Sequence, residues 1–196
     1  MDFTQEYILE DKRALLRPLA ISDYAHLLPF SLNEQELWQY SAQQADSAEK
    51  LKIYIEKALI AKNNQTEYPF IVFDKKTQQY AGSTRFYDID LKNDSLQLGY
   101  TWYGKAFHKT GLNRHCKFLL LQFAFETLNI NRVEFRADYR NKNSIAAMKA
   151  IGCKEEGVLR QNMQLPNNVC RDSIILSILK EEWQNDVKAH LQSKMY

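Results

Sequence analysis

The run from Leu98 to Leu128, LGYTWYGKAFHKTGLNRHCKFLLLQFAFETL, leaves the chain few ways to fold. Its first six residues are largely apolar or aromatic, as in a buried strand. Gly104, Lys109, Thr110, Gly111 and Asn113 then break the run with residues suited to tight turns. Beyond Arg114 the period changes: Phe118, Leu121, Phe125 and Leu128 share one helical face, and Leu119, Leu120, Phe123 and Ala124 widen it until little polar surface remains. A helix so apolar must lie against a sheet. Its N-terminus presents unpaired N–H groups and a partial positive charge, and Gly111 lets a ligand approach the backbone closely, which suits a phosphate or pyrophosphate. A plain strand–turn–helix unit with no ligand satisfies the same pattern. No Gly-Lys-Ser/Thr and no Gly-x-Gly-x-x-Gly occurs at the required spacing, so nucleotide-hydrolase and dinucleotide-binding folds drop out.

The remaining chain is consistent with one mixed α+β domain over residues 1–196. A length of 196 residues, 45% of them hydrophobic, suffices for one well-packed domain and is short for two. Arg13 to Leu19 reads as a first strand whose Pro18 marks an edge or an end. A short helix near Tyr24 to Leu28 should stop at Pro29, with Ser31-x-x-Glu34 capping a second turn that reaches Trp38. Asp46-x-x-Glu49 opens a clearer helix, with Leu51, Tyr54, Ile55, Ala58 and Leu59 on one face. Tyr68–Phe73 and Gln79–Ile89 form a hairpin, and Arg132–Asp138 alternates like a half-buried strand. Asn141 or Asn143 caps a following helix that Gly152 ends. Glu155–Leu165 and Val169–Leu179 form a last hairpin around Pro166-Asn167-Asn168. Trp183, Val187 and Leu191 mark a C-terminal helical extension over 180–196, a packing element or, alternatively, a homodimer contact.

Charge and cysteine usage narrow the partners. Lys and Arg total 26 against 24 acidic residues, a net charge of +2 that creates no broad field for nucleic acid or an anionic membrane. No apolar run approaches membrane-spanning length, and the opening MDFTQEYILEDKR has neither the basic flank nor the apolar core of a secretory signal, so the expected compartment is the cytoplasm. Cys116, Cys153 and Cys170 are widely spaced and suggest neither a disulfide framework nor a metal site. A packing role is expected for Cys116, since the adjacent His115 points about 100° away around the helix.

Taken together, the segments GYTWY, HKTGLN and KFLLLQFAFETL resemble the acyl-CoA-binding region of the GNAT N-acetyltransferases, in the branch of the ribosomal-protein N-terminal (RimJ/RimL-like) enzymes. Further matches follow in order: Arg132-Val133-Glu134-Phe135, Asp138, Asn141-x-x-Ser144, Gly152, Glu156-Gly157-Val158-Leu159-Arg160, Arg171-Asp172-Ser173 and Glu182-Trp183. The family's Gln/Arg-x-x-Gly-x-Gly/Ala is met here as His108-Lys109-Thr110-Gly111-Leu112-Asn113, which departs from it at the first and last marked positions. The resemblance implies a mostly antiparallel twisted sheet of six to seven strands covered by helices on both faces. It implies acetyl-CoA as donor, with no metal. The pyrophosphate is expected on His108, Lys109, Thr110, Gly111, Leu112 and Asn113, and the pantetheine arm along Tyr100, Thr101 and Trp102, with Asn141 and Ser144 beside the thioester. The acceptor wall is expected among Phe30, Trp38 and Tyr40, which as plain core anchors would serve packing instead.

Acyl transfer to an amine needs a neutral amine close to the carbonyl carbon, a donor for the oxyanion and a proton for the departing thiolate. The resemblance assigns the last task to Ser144; an ordinary helix-start serine is the alternative. The tyrosine common elsewhere in the superfamily is replaced by Met148. Relatives often carry Glu where this chain has Gln97, which takes no proton at neutral pH; Asp88 and Glu134 are the other carboxylates to consider. An α-amine, with an unperturbed pKa of ~7.7–8.0 against ~10.4 for lysine, then loses less rate to protonation, which favours a peptide or protein N-terminus or another weakly basic amine as acceptor. Two rival readings follow: an acyl-CoA-binding regulatory protein with weak turnover, and, by family analogy alone, a ribosome-associated module.

Overall fold

The computed structural model describes residues 1–165 and 168–195; Pro166 and Asn167, in the expected turn, lie outside them. In chain order come β1 (Leu9–Glu10), β2 (Ala14–Pro18), α1 (Tyr24–Asn33), α2 (Ala48–Asn63), β3 (Tyr68–Asp74), β4 (Gln79–Asp90), β5 (Ser95–Tyr103), α3 (Leu112–Gln122), β6 (Arg132–Asp138), α4 (Lys142–Ala150), β7 (Lys154–Gln164) and β8 (Cys170–Leu179). A C-terminal helical run follows, in which α5 (Lys180–Glu182) and α6 (Lys188–Ser193) join through a wider, π-type turn. The strands form one sheet in the order β1-β2-β3-β4-β5-β6-β8-β7. Every neighbouring pair is antiparallel except β5 with β6. The sheet thus has eight strands, not six to seven: β1 spans two residues paired with Leu15 and Leu16, too short to show a period.

Alternation along the strands sends apolar side chains to two cores, one on each face. On one side α3, α4 and the C-terminal run cover Leu96, Leu98, Val133, Phe135, Ile174, Leu176 and Ile178. On the other, Leu27 of α1 and Leu51, Tyr54, Ile55 and Ala58 of α2 pack on Ile71 and Trp102. Helices therefore lie on both faces, as the apolar width of α3 requires. The C-terminal run is a packing element: Trp183 is fully buried, its ring 5.7 Å from Phe125 and 5.6 Å from Phe118, and its Nε1 donates to Glu126 at 2.8 Å.

Three local expectations change. Pro29 does not stop the first helix, which runs through it to Asn33. Burial of Leu27 and the packing of Phe30 on Trp102 outweigh the ~3 kcal/mol that an interior proline costs. Ser31 is consequently in the last turn of the helix and buried instead of forming a capping box, and Glu34 accepts from the Lys105 backbone N–H at 2.7 Å. The second helix is capped by Ser47, whose Oγ accepts from the Lys50 N–H, while Asp46 pairs with Lys50 Nζ. Asn141 and Gly152 behave as read: Asn141 Oδ1 accepts from the Ser144 N–H at 3.0 Å, and Gly152 follows α4 at φ +96°.

Trp183→Ala should lower the unfolding free energy by about 3–5 kcal/mol, as expected for loss of a buried aromatic ring. Urea denaturation measures this; a loss below ~1 kcal/mol would show that the C-terminal run lies outside the cooperative core.

Candidate active site

The parallel pairing of β5 with β6 is short. It joins Ser95, Leu96 and Gln97 to Arg132, Val133 and Glu134, and no ladder links the two strands beyond that point. The cause lies on the other side of β5. Against β4, Trp102 faces Ser83 and Gly99 faces Arg85, so Tyr100 and Thr101 together oppose the single residue Thr84. This is a β-bulge, and Tyr100 takes φ +48° to form it. A bulge bends its strand and increases its twist, so β5 turns away from β6 and a slot opens between their backbones. The expected pantetheine-binding residues Tyr100, Thr101 and Trp102 lie on this stretch.

One end of β5 leads into the loop before α3. Gly111 sits at φ +90° as the helix N-cap, and a Cβ there would meet no atom within 4 Å, so the backbone faces open space. His108, Lys109 and Thr110 are exposed, and Lys109 is also left-handed at φ +60°. The loop holds itself in shape: His108 Nε2 lies 2.8 Å from the Tyr103 carbonyl, and Thr110 Oγ1 donates to the Phe107 carbonyl at 2.8 Å. The Leu112 side chain is fully buried, which leaves only its backbone for a ligand, and Asn113 Oδ1 is buried without a partner. An open left-handed glycine at a helix N-terminus fits a pyrophosphate. The orphaned Asn113 oxygen is a further acceptor for a bound donor.

The loop after β6 borders the slot from the opposite side. Asp138 accepts from the Arg140 backbone N–H and Nε at 2.9 Å and from Nη2 at 2.6 Å, and its carbonyl accepts from the Asn141 N–H at 2.8 Å. That turn delivers Asn141 as the α4 cap and Ser144 one turn in, half-buried, its hydroxyl without a hydrogen-bond partner among the described residues. The Arg140 guanidinium holds the Asp138 carboxyl below the usual carboxylate range.

On the face toward α1 and α2, Gln97 is 8% exposed and its Oε1 has no partner. It stands between Tyr87 of β4 and Glu134 of β6 in the pairing register. Glu134 is engaged by Arg132 at 2.9 Å and Arg136 at 2.6 Å, and Asp88 is exposed at φ +45°, so neither offers a free carboxylate beside Gln97. Of the expected acceptor residues, Trp38 is 1% exposed and packs 4.9 Å from Trp102, a core position. Phe30 is half-buried against Trp102 and Phe107; Tyr40, also half-buried, lies near Arg140. Phe30 and Tyr40 thus flank the region, while Trp38 supports it from beneath.

Cys116 is fully buried and its thiol is pushed up to about 12 by burial, in line with packing. Two groups near the slot went unnoticed in the sequence. Arg85, 1% exposed, is held by Glu67 at 2.6 Å and stacked between Tyr54 and Tyr100, whose rings lie 4.7 and 4.2 Å from its Cζ. Lys117 is buried among the leucines of α3. A lysine in an otherwise apolar helical face was the available signal.

Comparison with known proteins agrees with this geometry. Residues 13–154 match the family model described as Acetyltransferase (GNAT) domain. A candidate ribosomal N-acetyltransferase of Bacillus subtilis, YdaF, is 32% identical over 105 residues, a match spanning 54% of this chain and 56% of that relative's length. A solved structure of a candidate acetyltransferase from T. thermophilus is 32% identical and superposes with a TM-score of 0.86 over 96% of this chain and 97% of the other. RimJ of Mycobacterium smegmatis, solved in complex with CoA-disulfide, shares the fold at 18% identity, TM-score 0.80, over 96% of this chain and 93% of its own.

Because its folded pKa is depressed, Asp138 contributes stability above about pH 4 that is lost as pH falls through the folded value. Asp138→Asn should therefore cost about 1–2 kcal/mol near pH 7. In urea titrations the gap from wild type should narrow as pH drops toward ~3; a gap independent of pH would show that the carboxylate charge is not what holds the turn.

Proposed function

Since the chain belongs to the GNAT acetyltransferase family, we propose that it transfers an acetyl group from acetyl-CoA to a primary amine, with a protein or peptide N-terminus as the favoured acceptor class. One observation carries this reading. The slot opened by the Tyr100 bulge and the open Gly111 helix N-terminus lie on either side of the loop that joins β5 to α3, so a long thioester cofactor can be held at both its phosphates and its arm.

Bound acetyl-CoA supplies the activated acetyl thioester. The loop from His108 to Asn113 would take its pyrophosphate on backbone N–H groups, and the free edge of β5 from Tyr100 to Trp102 would pair with the pantetheine amides. Asn141 fixes the start of α4 by accepting from the Ser144 N–H, and the Ser144 hydroxyl would supply a proton in the slot. Gln97, without a hydrogen-bond partner at Oε1, can accept from the incoming amine or from a water but cannot take its proton. A site of this kind favours an acceptor whose amine is already substantially neutral near pH 8, which is the argument for an α-amine over a lysine. Phe30 and Tyr40 would border the acceptor. One domain over residues 1–196 is proposed to carry the reaction, the C-terminal run belonging to its core; the absence, among the described residues, of any helix long and apolar enough to cross a membrane is compatible with the cytoplasm as its compartment.

Calorimetry and thermal melting with acetyl-CoA, CoA and ATP in parallel test the cofactor. Selective binding of the CoA forms at 100 times the dissociation constant should add about 2.7 kcal/mol of stability. Gly111→Asp should abolish that gain while the ligand-free protein remains folded; equal stabilisation by ATP would refute selectivity, and no binding at all would refute the acyl-CoA reading. For the amine side, Gln97→Glu should shift the pH profile of kcat/KM toward lower pH by supplying a base. An unchanged profile would remove this position from the mechanism.

A further inference from the structure

Lys117 has no role in the chemistry described so far, yet it is buried where that chemistry would occur. It lies five residues into α3 beyond Leu112, is 6% exposed, and donates from Nζ to Thr101 Oγ1 at 2.9 Å. Thr101 belongs to the bulge that turns β5 away, and its hydroxyl is 2.7 Å from that of Thr84. Nζ also lies 5.6 Å from the centre of the Phe135 ring, and Phe135 is the first residue of β6 beyond the last paired position, Glu134. The ammonium group therefore spans the two strands just past the point where they part. It forms one wall of the slot.

Its neighbours do not account for its charge. From β5 it meets the Thr101 hydroxyl, itself bonded to that of Thr84 on β4, and from β6 an aromatic face. The titratable groups facing it are the thiols of Cys116 on its own helix and Cys153 after α4, both pushed up to about 12 by burial and so neutral at physiological pH. Among the described residues no carboxylate pairs with it. Burying an ammonium without an anion is costly, and burial lowers its pKa to about 8. An ammonium has three N–H donors, of which Thr101 takes one.

We propose that Lys117 supplies the positive charge that stabilises the departing sulfur in this slot, its uncompensated ammonium being satisfied by the thiolate that acyl transfer creates. This rests on the acyl-CoA reading above. In the balanced reaction the acceptor nitrogen bonds to the acyl carbon and the carbon–sulfur bond breaks with its electron pair on sulfur. The thiolate stays paired with the Nζ ammonium until a proton reaches it from solvent through the Ser144 hydroxyl, and the acceptor nitrogen loses its proton to solvent. Ser144 then has a different task from Lys117: it is a neutral donor, whereas only the lysine supplies charge.

The test needs no knowledge of the acceptor. The ionisation of the CoA thiol bound to the full-length protein is followed by the ultraviolet absorbance of the thiolate across pH, and affinities for CoA and desulfo-CoA are measured by calorimetry. In wild type the bound thiol should ionise about one pH unit below free CoA, a tenfold shift in that equilibrium. Lys117→Met, similar in size and apolar, should restore the free value and weaken CoA about threefold near pH 8, leaving desulfo-CoA unchanged. Lys117→Arg should keep the lowered ionisation, because it keeps the charge. A wild-type thiol that ionises as in free CoA overturns the proposal without recourse to any variant, as does an undiminished shift in Lys117→Met. If neither CoA nor desulfo-CoA binds wild type, the acyl-CoA reading itself fails; if both bind but the bound CoA thiol ionises as it does in free CoA, only the role of Lys117 fails.

Discussion

The parting of β5 from β6 after Gln97 and Glu134 is the constraint on which the remaining architecture depends. Two adjacent parallel strands would ordinarily continue their ladder and bury their facing backbone groups. Here the Tyr100 bulge, with its left-handed backbone, makes that impossible, and the free edge of β5 becomes a surface for another extended chain. The free edge remains inside the sheet because each strand is secured on its other side. β5 pairs with β4 from Gly82 opposite Tyr103 to Asp90 opposite Ser95, and β6 pairs with β8 along its whole length.

Holding a sheet open at its centre requires a core on each face, and the chain supplies both. On one side α3 buries nearly every side chain from Leu112 to Leu121, and the C-terminal run adds Trp183, Val187 and Leu191. On the other, Trp102 of β5 is enclosed by Trp38, Tyr54 and Phe30. Tyr54 Oη accepts from Trp102 Nε1, so α2 is tied directly to the strand that carries the bulge. The helices therefore fix the direction in which β5 diverges as well as covering the sheet.

Much of this was legible in the residues. The change of period after Arg114, the Asn141 cap and the Gly152 terminus are local features with local causes, and they stand where the sequence puts them. What remained hidden depends on contacts distant in sequence. The continuation of α1 through Pro29 rests on Phe30 meeting Trp102, 72 positions away, and a local rule about proline cannot see it. The bulge is harder still: Tyr100 and Thr101 look like ordinary strand residues, and only the register against Thr84 shows that two residues face one. The same applies to the site. Glu134 was a free carboxylate on paper, but Arg132 and Arg136 approach it from positions two residues away on the same strand face. Trp38 read equally well as acceptor wall or anchor, and its burial makes it an anchor.

The distribution of charge around the opening bears on how an amine is handled. A conventional base would be a carboxylate near Gln97, yet Glu134 there is neutralised by two guanidinium groups and Gln97 carries no charge. Arg85, close by on the same face, adds positive charge that Glu67 balances, stacked between two tyrosines. In the proposed reaction an incoming amine would meet the open oxygen of Gln97, with the carboxylates of Glu67 and Glu134 already paired and so not free to take its proton. An acceptor already neutral in solution suits such a proposed site better than one that must be deprotonated within it. In the proposed reaction the acceptor loses its protons to solvent, and the Ser144 hydroxyl and the Lys117 ammonium are left for the sulfur on the other side of the sheet.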